Sequence, residues 1–189
     1  MELTIENPKN CKQFQILFQL LSSICNEVDI HFKKDKIFIQ GMDTGHICLF
    51  ELNLTKEWFK SYEVETTIIC GVSLSVISKV LSCWKEGQII TISKTKEDKL
   101  DFYFEDNKIS KCFEMSLFDF DNEMLSIPDI EYDVDVNLNS KLINSLISEM
   151  DSFGEVLEIH CNEDFINLKT KQNIHQTQVE NKLKVADLE

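Results

Sequence analysis

Proline and glycine are scarce, at two and five in 189 residues, and no Ser/Gly-rich or Pro-rich tract interrupts the chain, so composition marks no flexible linker. No run approaches the roughly 20 consecutive apolar residues of a membrane helix. The start, MELTIENPKNCK, lacks both the basic and the apolar region of a secretory signal. A soluble, intracellular protein without membrane contact is expected. HExxH, CxxC, a Gly-framed serine, GxxxxGK and GxGxxG are all missing, so neither metal nor nucleotide chemistry has a motif to rest on. The pairs His46/Cys48 and His160/Cys161 lack ligand spacing, and Asp119 and Asp121 alternate with bulky apolar residues in a pattern better suited to docking than to acid–base work. The expectation is no enzyme, no cofactor and no metal. Seven cysteines, an odd number scattered through apolar runs such as IICGV, read as buried free thiols rather than disulfides.

What is present is enough apolar matter for a real core, 43% of the chain, under a net charge of −14. That charge argues against nonspecific wrapping of nucleic acid, because phosphate binding rests on counterion release by basic side chains. Any such contact needs a local face of opposite sign.

Residues 9–28 carry Phe14, Leu17, Phe18, Leu21 and Ile24 at helical spacing, with Pro8 suited to the first turn. Alternating strands 28–32 and 36–41 follow across a short polar break at 33–35, a hairpin pattern. Further strands are expected at 46–53 and 63–72. The order recurs: Ser73 as cap, a helix over 73–84 with Leu74, Ile77, Val80 and Leu81 on one face, a break at 85–87, then strands 88–93 and 99–106. It recurs again with Ser140 as cap, Leu142, Leu146 and Ile147 inward on a helix over 140–150, and strands 156–161 and 165–171 around a break at 162–164. Three such units argue for an internally duplicated α+β fold, although helix–hairpin similarity of this kind also arises by chance.

Specific sequence goes further. The run 40-QGMDTGHICLFELNL-54, with its Gln-x-Met-Asp-x-x-His core, the run 71-GVSLSVISKVLSCWKEGQIITI-92, and 113-FEMSLFDFDNEMLSIPDIEYDVDV-136, with its Leu-x-Ile-Pro-x-x-x-Tyr ending, resemble blocks of the proliferating cell nuclear antigen (PCNA) family in order and spacing. Residues 137–161 resemble the opening of that family's second domain, including the Gly154-acid step. The resemblance implies an α+β DNA-clamp (processivity) fold of repeated helix and antiparallel-sheet units. Its first domain would span 1–117, an interdomain connector 118–133, and an incomplete second domain 134–189.

The same resemblance implies a function. In the family three subunits close into a ring, with helices lining the hole and sheets outside, so duplex DNA is held by enclosure and without sequence reading. A sliding clamp and DNA polymerase processivity factor, acting as a homotrimer served by a clamp loader in the nucleus or in a host-cell replication compartment if viral, is therefore the expected function. The alternative is a clamp-derived module that binds client peptides without encircling DNA.

Lys79 matches a position that is basic in the family, and Lys12 and Lys141 lie nearby on candidate hole-facing surfaces. A lysine on a helix can equally be an ordinary solvated face. Gln15, Ser22, Ser82, Ser145 and Ser148 stand where further basic residues are usual, which implies weak attraction to DNA. The groove for polymerase and other clamp-binding motifs falls on Met42, His46, Ile47 and Leu49 from the sheet and Leu125, Ile127, Pro128 and Tyr132 from the connector. Its acidic rim is Asp119, Asp121, Glu123, Asp129 and Glu131. Met42, Ile47 and Leu49 also suit plain core positions. The subunit interface is expected at strand 109–117 with Cys83, Phe113 and Met115, against a neighbour's segment near 173–181.

Overall fold

The structure, a computed structural model, describes residues 1–120, 124–127, 131, 134–171 and 178–184. It divides into two compact units, Met1–Ser126 and Ile127–Glu189, the division falling within the segment 118–133 expected to connect the domains.

Unit 1 is two interlocked copies of one motif. The first runs β1 (Glu2–Ile5), α1 (Pro8–Ile24), β2 (Glu27–Phe32), β3 (Lys36–Met42) and β4 (Leu49–Thr55), with a short strand β5 (Ser61–Glu63) after it. The second runs β6 (Ile68–Ser73), α2 (Leu74–Ser82), β7 (Ile89–Ser93), β8 (Lys99–Glu105) and β9 (Ser110–Ser116). Each motif lends its first strand to the other. β1 pairs antiparallel with β7 and β6 with β2, giving sheets of order β5-β1-β7-β8-β9 and β4-β3-β2-β6.

The exchange has a physical cause. One amphipathic helix over one hairpin cannot enclose its own apolar face, so α1 and α2 pack against each other and against β2, β6 and β7. Leu3, Phe14, Ile30, Ile39, Cys70, Leu74, Leu81, Ile90 and Phe102 meet in one core, none more than 3% exposed. Alternation along β2, with Val28, Ile30 and Phe32 buried, is what the strand period demands.

Unit 2 carries one motif: α3 (Ser140–Asp151), β10 (Leu157–Cys161), β11 (Phe165–Lys171) and β12 (Gln178–Lys184), in sheet order β10-β11-β12. Its core is small, with Met150, Ile166 and Leu168 buried among the described residues.

Several expectations need correction. The strand expected at 46–53 begins at Leu49, and the one expected at 63–72 is two, β5 and β6. Ser73 sits at the N-cap of α2 but its hydroxyl pairs with Ser75 instead of capping. The cap of α3 is Asn139, not Ser140; its Oδ1 accepts from the Lys141 and Leu142 amides at 3.0 and 3.3 Å. Leu142 and Ile147 of α3 are 39% and 44% exposed rather than inward, because a three-stranded sheet covers only part of that helix. Cys11, Cys25 and Cys70 are buried free thiols as expected, Cys11 and Cys70 pushed up to about 11 by burial. Cys48, Cys83, Cys112 and Cys161 are exposed, since they fall in a loop, at a helix end and on outward strand positions. Among the described residues no helix is long and apolar enough to cross a membrane.

Leu81 is fully buried between the helices, so Leu81→Ala is expected to cost about 2–5 kcal/mol, read as a lowered urea midpoint. Asn139→Ala should cost only about 1 kcal/mol, confined to unit 2.

Candidate functional site

Two faces of unit 1 bear on function. The first is the solvent side of the helix pair. The segments PKNCKQFQILFQLLSSI of α1 and LSVISKVLS of α2 contain no Asp or Glu, in a chain with 33 acids, while Lys9, Lys12 and Lys79 stand on them. Lys12 and Lys79 are exposed there. Lys141 is exposed on α3 in unit 2, a helix that also holds Glu149 and Asp151.

Gln15 is not on this surface. It is 7% exposed, its amide donates to the Leu81 carbonyl at the end of α2 at 3.0 Å, and its Oε1 accepts from Lys12 Nζ at 2.8 Å. A side chain read as a missing charge is a tie between the helices that also holds Lys12. Its place on the stripe with Cys11, Phe14 and Phe18 was the available signal. Ser22 and Ser82 turn their hydroxyls back onto the Gln19 and Lys79 carbonyls, and Ser148 does the same to Asn144. Ser145 pairs with Glu149.

The second face is the outer surface of the sheet β4-β3-β2-β6, over which the start of the connector runs. The Gln40 amide grips the connector at both ends of one residue: Nε2 donates to the Leu125 carbonyl at 2.9 Å, and Oε1 accepts from the Leu125 amide at 2.8 Å. The same Nε2 donates to Glu51. Further back, the Phe118 amide donates to the Gly71 carbonyl at 2.9 Å. A Cβ on Gly71 would lie 2.3 Å from the Phe118 oxygen, so this approach requires glycine. Glu27, Asp29, His31, Gln40, Met42, Met124 and Leu125 line a groove between sheet and connector. Burial holds the His31 imidazole below its usual value, Asp29 opposing the shift.

The loop between β3 and β4 gives the Met-Asp-x-x-His motif a physical meaning. Asp43 Oδ1 accepts from the amides of Cys48 (2.6 Å) and Ile47 (2.8 Å), and Oδ2 from Gly45 at 3.2 Å. Those amides hold the Asp43 carboxyl below its ordinary value, that of Cys48 first. The turn puts His46 in the left-handed region at φ 56° and throws Ile47 outward, 89% exposed. Met42 and Leu49 face each other across the ladder, half-buried, so neither they nor Ile47 belongs to the core. Leu125 and Ile127 are 43% and 53% exposed. Pro128, Tyr132, Asp121, Glu123 and Asp129 lie outside the described residues, and Asp119 and Glu131 are exposed.

Of the residues assigned to a subunit interface, Cys83 is exposed at the end of α2. Met115 corrects the expectation, because it is 5% exposed with its side chain in the core, and Phe113 packs inward on Phe104. β9 itself forms the open edge of its sheet among the described residues.

Residues 6–127 match the family model described as proliferating cell nuclear antigen, N-terminal domain, which is more than half of the chain. The chain belongs to the PCNA family. It is 26% identical over 175 residues to "Proliferating cell nuclear antigen 1" of Plasmodium falciparum, covering 90% of this chain and 64% of that one. It is 27% identical over 168 residues to "Probable DNA polymerase sliding clamp 2" of Paramecium bursaria Chlorella virus 1, covering 87% and 61%. This chain thus spans less than two thirds of the length of these curated PCNA-family relatives. The crystal structure of PCNA from Thermococcus kodakaraensis superposes with a TM-score of 0.88 at 18% identity, over 98% of this chain and 73% of that one, which establishes the clamp fold.

Two outcomes follow for this site. The two Gln40–Leu125 bonds are worth about 0.5–1.5 kcal/mol each, so Gln40→Ala should speed hydrogen exchange of the Leu125 amide by about tenfold or more, read by NMR. For Asp43 the folded carboxyl titrates below its usual 3.8, so its hold on the loop is complete above that value and is lost as pH falls through the folded one. The Ile47 and Cys48 amide resonances should therefore move with an inflection below 3.8; an inflection at or above it contradicts the assigned hydrogen bonds.

Proposed function

We propose that this chain is a subunit of a DNA sliding clamp, a processivity factor that encloses duplex DNA and tethers a DNA polymerase and other clients to it. The observation that carries the reading is charge segregation. A chain of net −14 keeps every acid off α1 and α2 and leaves lysines there, which supplies the local face of opposite sign that DNA contact requires. All 19 of its cations are lysines, suited to phosphate as point charges and not to the bidentate reading of guanine that arginine performs. Contact of that kind tracks the backbone without sequence preference, as sliding needs.

The outer groove fits the tethering half of the task. Gln40 fixes the connector as one wall, Met42 and Leu49 lie half-buried beside it, and Ile47 and Leu125 present apolar surface. A client would set apolar anchors there, its basic flanks meeting acidic side chains such as Asp119. Closure into a ring would use the open edge of β9 against a neighbour's β12, and its place of action is the nucleus or another compartment where DNA is replicated.

Retention on DNA tests the enclosure. Loaded onto nicked circular DNA, the protein should be retained and then released when the circle is linearised; retention indifferent to free ends, or none with client peptide still bound, favours the interaction-module reading. Lys79→Glu and Lys12→Glu should each weaken DNA association and lower the slope of log affinity against log salt by about 1, with thermal stability unchanged.

A further inference from the structure

Strand alternation gives the sheet β4-β3-β2-β6 two faces. Ile37 and Ile39 of β3 point into the core, so Phe38 between them belongs to the outer face, together with Lys36, Gln40 and Met42. Cross-strand register sets that face in rows. Nearest the connector, Gln40 lies between Glu51 and Asp29. In the next row Phe38 lies between Asn53 and His31, with Ile69 beyond His31. At the far end Lys36 lies beside Thr55, and the Lys33 amide donates to the Lys36 carbonyl at 2.9 Å. The Lys56 amide donates to the Asp35 carbonyl at 2.8 Å, which brings Lys56 to the same hairpin, whose tip carries Lys34.

Charge therefore changes sign along a single strand. The connector end is acidic, with Glu27, Asp29 and Glu51. The middle row is uncharged: Phe38 is 6% exposed, Ile69 is 57% exposed, and His31, held below its usual value by burial, is neutral at neutral pH. The hairpin end is basic. Lys33 Nζ sits 4.6 Å and Lys36 Nζ 5.8 Å from the Phe38 ring centroid, and Lys36 also donates to Asn53 Oδ1 at 2.8 Å. Contact with a ring and a neutral amide places these ammonium groups without cancelling their charge. Among the described residues the lysine ion pairs are Lys60–Glu6, Lys96–Glu114 and Lys169–Glu180, so Lys33, Lys34, Lys36 and Lys56 all keep their charge available. Asp35 and Glu57, the acids next to them in the chain, leave this end net positive.

We infer that this face is a docking strip for an extended protein segment of the opposite polarity, with basic residues over Glu51 and Asp29, an apolar side chain on Phe38 and Ile69, and acidic residues at Lys33, Lys34, Lys36 and Lys56. β3 is seven residues long, so at about 3.3 Å per residue a segment of similar length spans the strip. A DNA duplex does not match it, because its charge is of one sign throughout and the connector end would repel it. A uniformly acidic or uniformly basic segment meets like charge at one end for the same reason. The strip starts where the groove beside Gln40 ends, so a client seated there has a path onward along β3. The inference stands on the charges of this face and not on the enclosure of DNA.

Fluorescence anisotropy of labelled synthetic peptides with the whole chain tests it. One peptide carries arginines at one end, phenylalanine in the middle and glutamates at the other; its control has the same composition with the charges interleaved. Both are made in each chain direction, since the rows fix the order of charges and not the direction of the backbone. The segregated peptide is expected to bind about tenfold or more tightly than the control, and Lys33→Glu with Lys36→Glu should remove that advantage. Lys34→Glu with Lys56→Glu, both at exposed positions, gives the same reading should the first pair disturb the hairpin. In the unsubstituted chain the Phe38 and Ile69 amide resonances should shift with the segregated peptide. Equal affinity for the two peptides, indifference to both lysine pairs, or shifts confined to residues 42–49 would each overturn the inference. Hairpin lysines that respond to duplex DNA and not to the segregated peptide would overturn it too, by giving the basic end to nucleic acid.

Discussion

A single helix laid over a hairpin has one apolar face too many, and the architecture of this protein follows from covering it. In unit 1 the remedy is reciprocal. α1 and α2 share one core, and the strands β1 and β6 cross to the opposite sheets, so that each motif is completed by the other. The shared core fixes the helices side by side, and their remaining faces are the ones turned to solvent. Function is then a matter of what those outer faces carry.

They carry unequal charge. Acidic residues crowd strands, loops and connector, while α1 and α2 have none. A protein so negative overall is repelled by DNA from most directions. On the proposed clamp reading, Lys9, Lys12 and Lys79 would provide the approach that is not repelled, few enough that their total attraction is weak. Weak contacts are tolerable to a protein that holds its ligand by enclosure, whereas a binder relying on affinity would need many more.

Much of this is legible in the residues. The helical stripe of Phe14, Phe18 and Leu21, the hairpin breaks at 33–35 and 162–164, and the motif from Gln40 to His46 all point to elements that the structure contains. What the residues do not reveal depends on contacts distant in sequence or on the setting of one side chain. Gln15 reads as a polar surface residue until α2 brings the Leu81 carbonyl to it. Gln40 and Asp43 lie in the Gln-x-Met-Asp-x-x-His run, in which Met42 and His46 have the apolar and aromatic character that suits a client groove. The placement of Leu125 and Ile47 depends instead on Gln40, which holds the connector, and on Asp43, which orders the loop. Ser73 and Ser140 have the right chemistry for caps, but in one case the hydroxyl turns to a neighbour and in the other the cap falls one residue earlier. Leu142 and Ile147 show helical periodicity without burial, since a stripe reveals that a face seeks cover and not what covers it.

The claim most in need of direct test is that the acid-free helices are the DNA face. Lysine side chains labelled by reductive methylation and followed by NMR during titration with a short duplex report contact one residue at a time. The expected result is that the Lys12 and Lys79 signals shift while those of Lys33, Lys34 and Lys36, on the hairpin of the outer sheet, stay in place. Movement of the hairpin lysines with α1 and α2 unaffected would contradict the account.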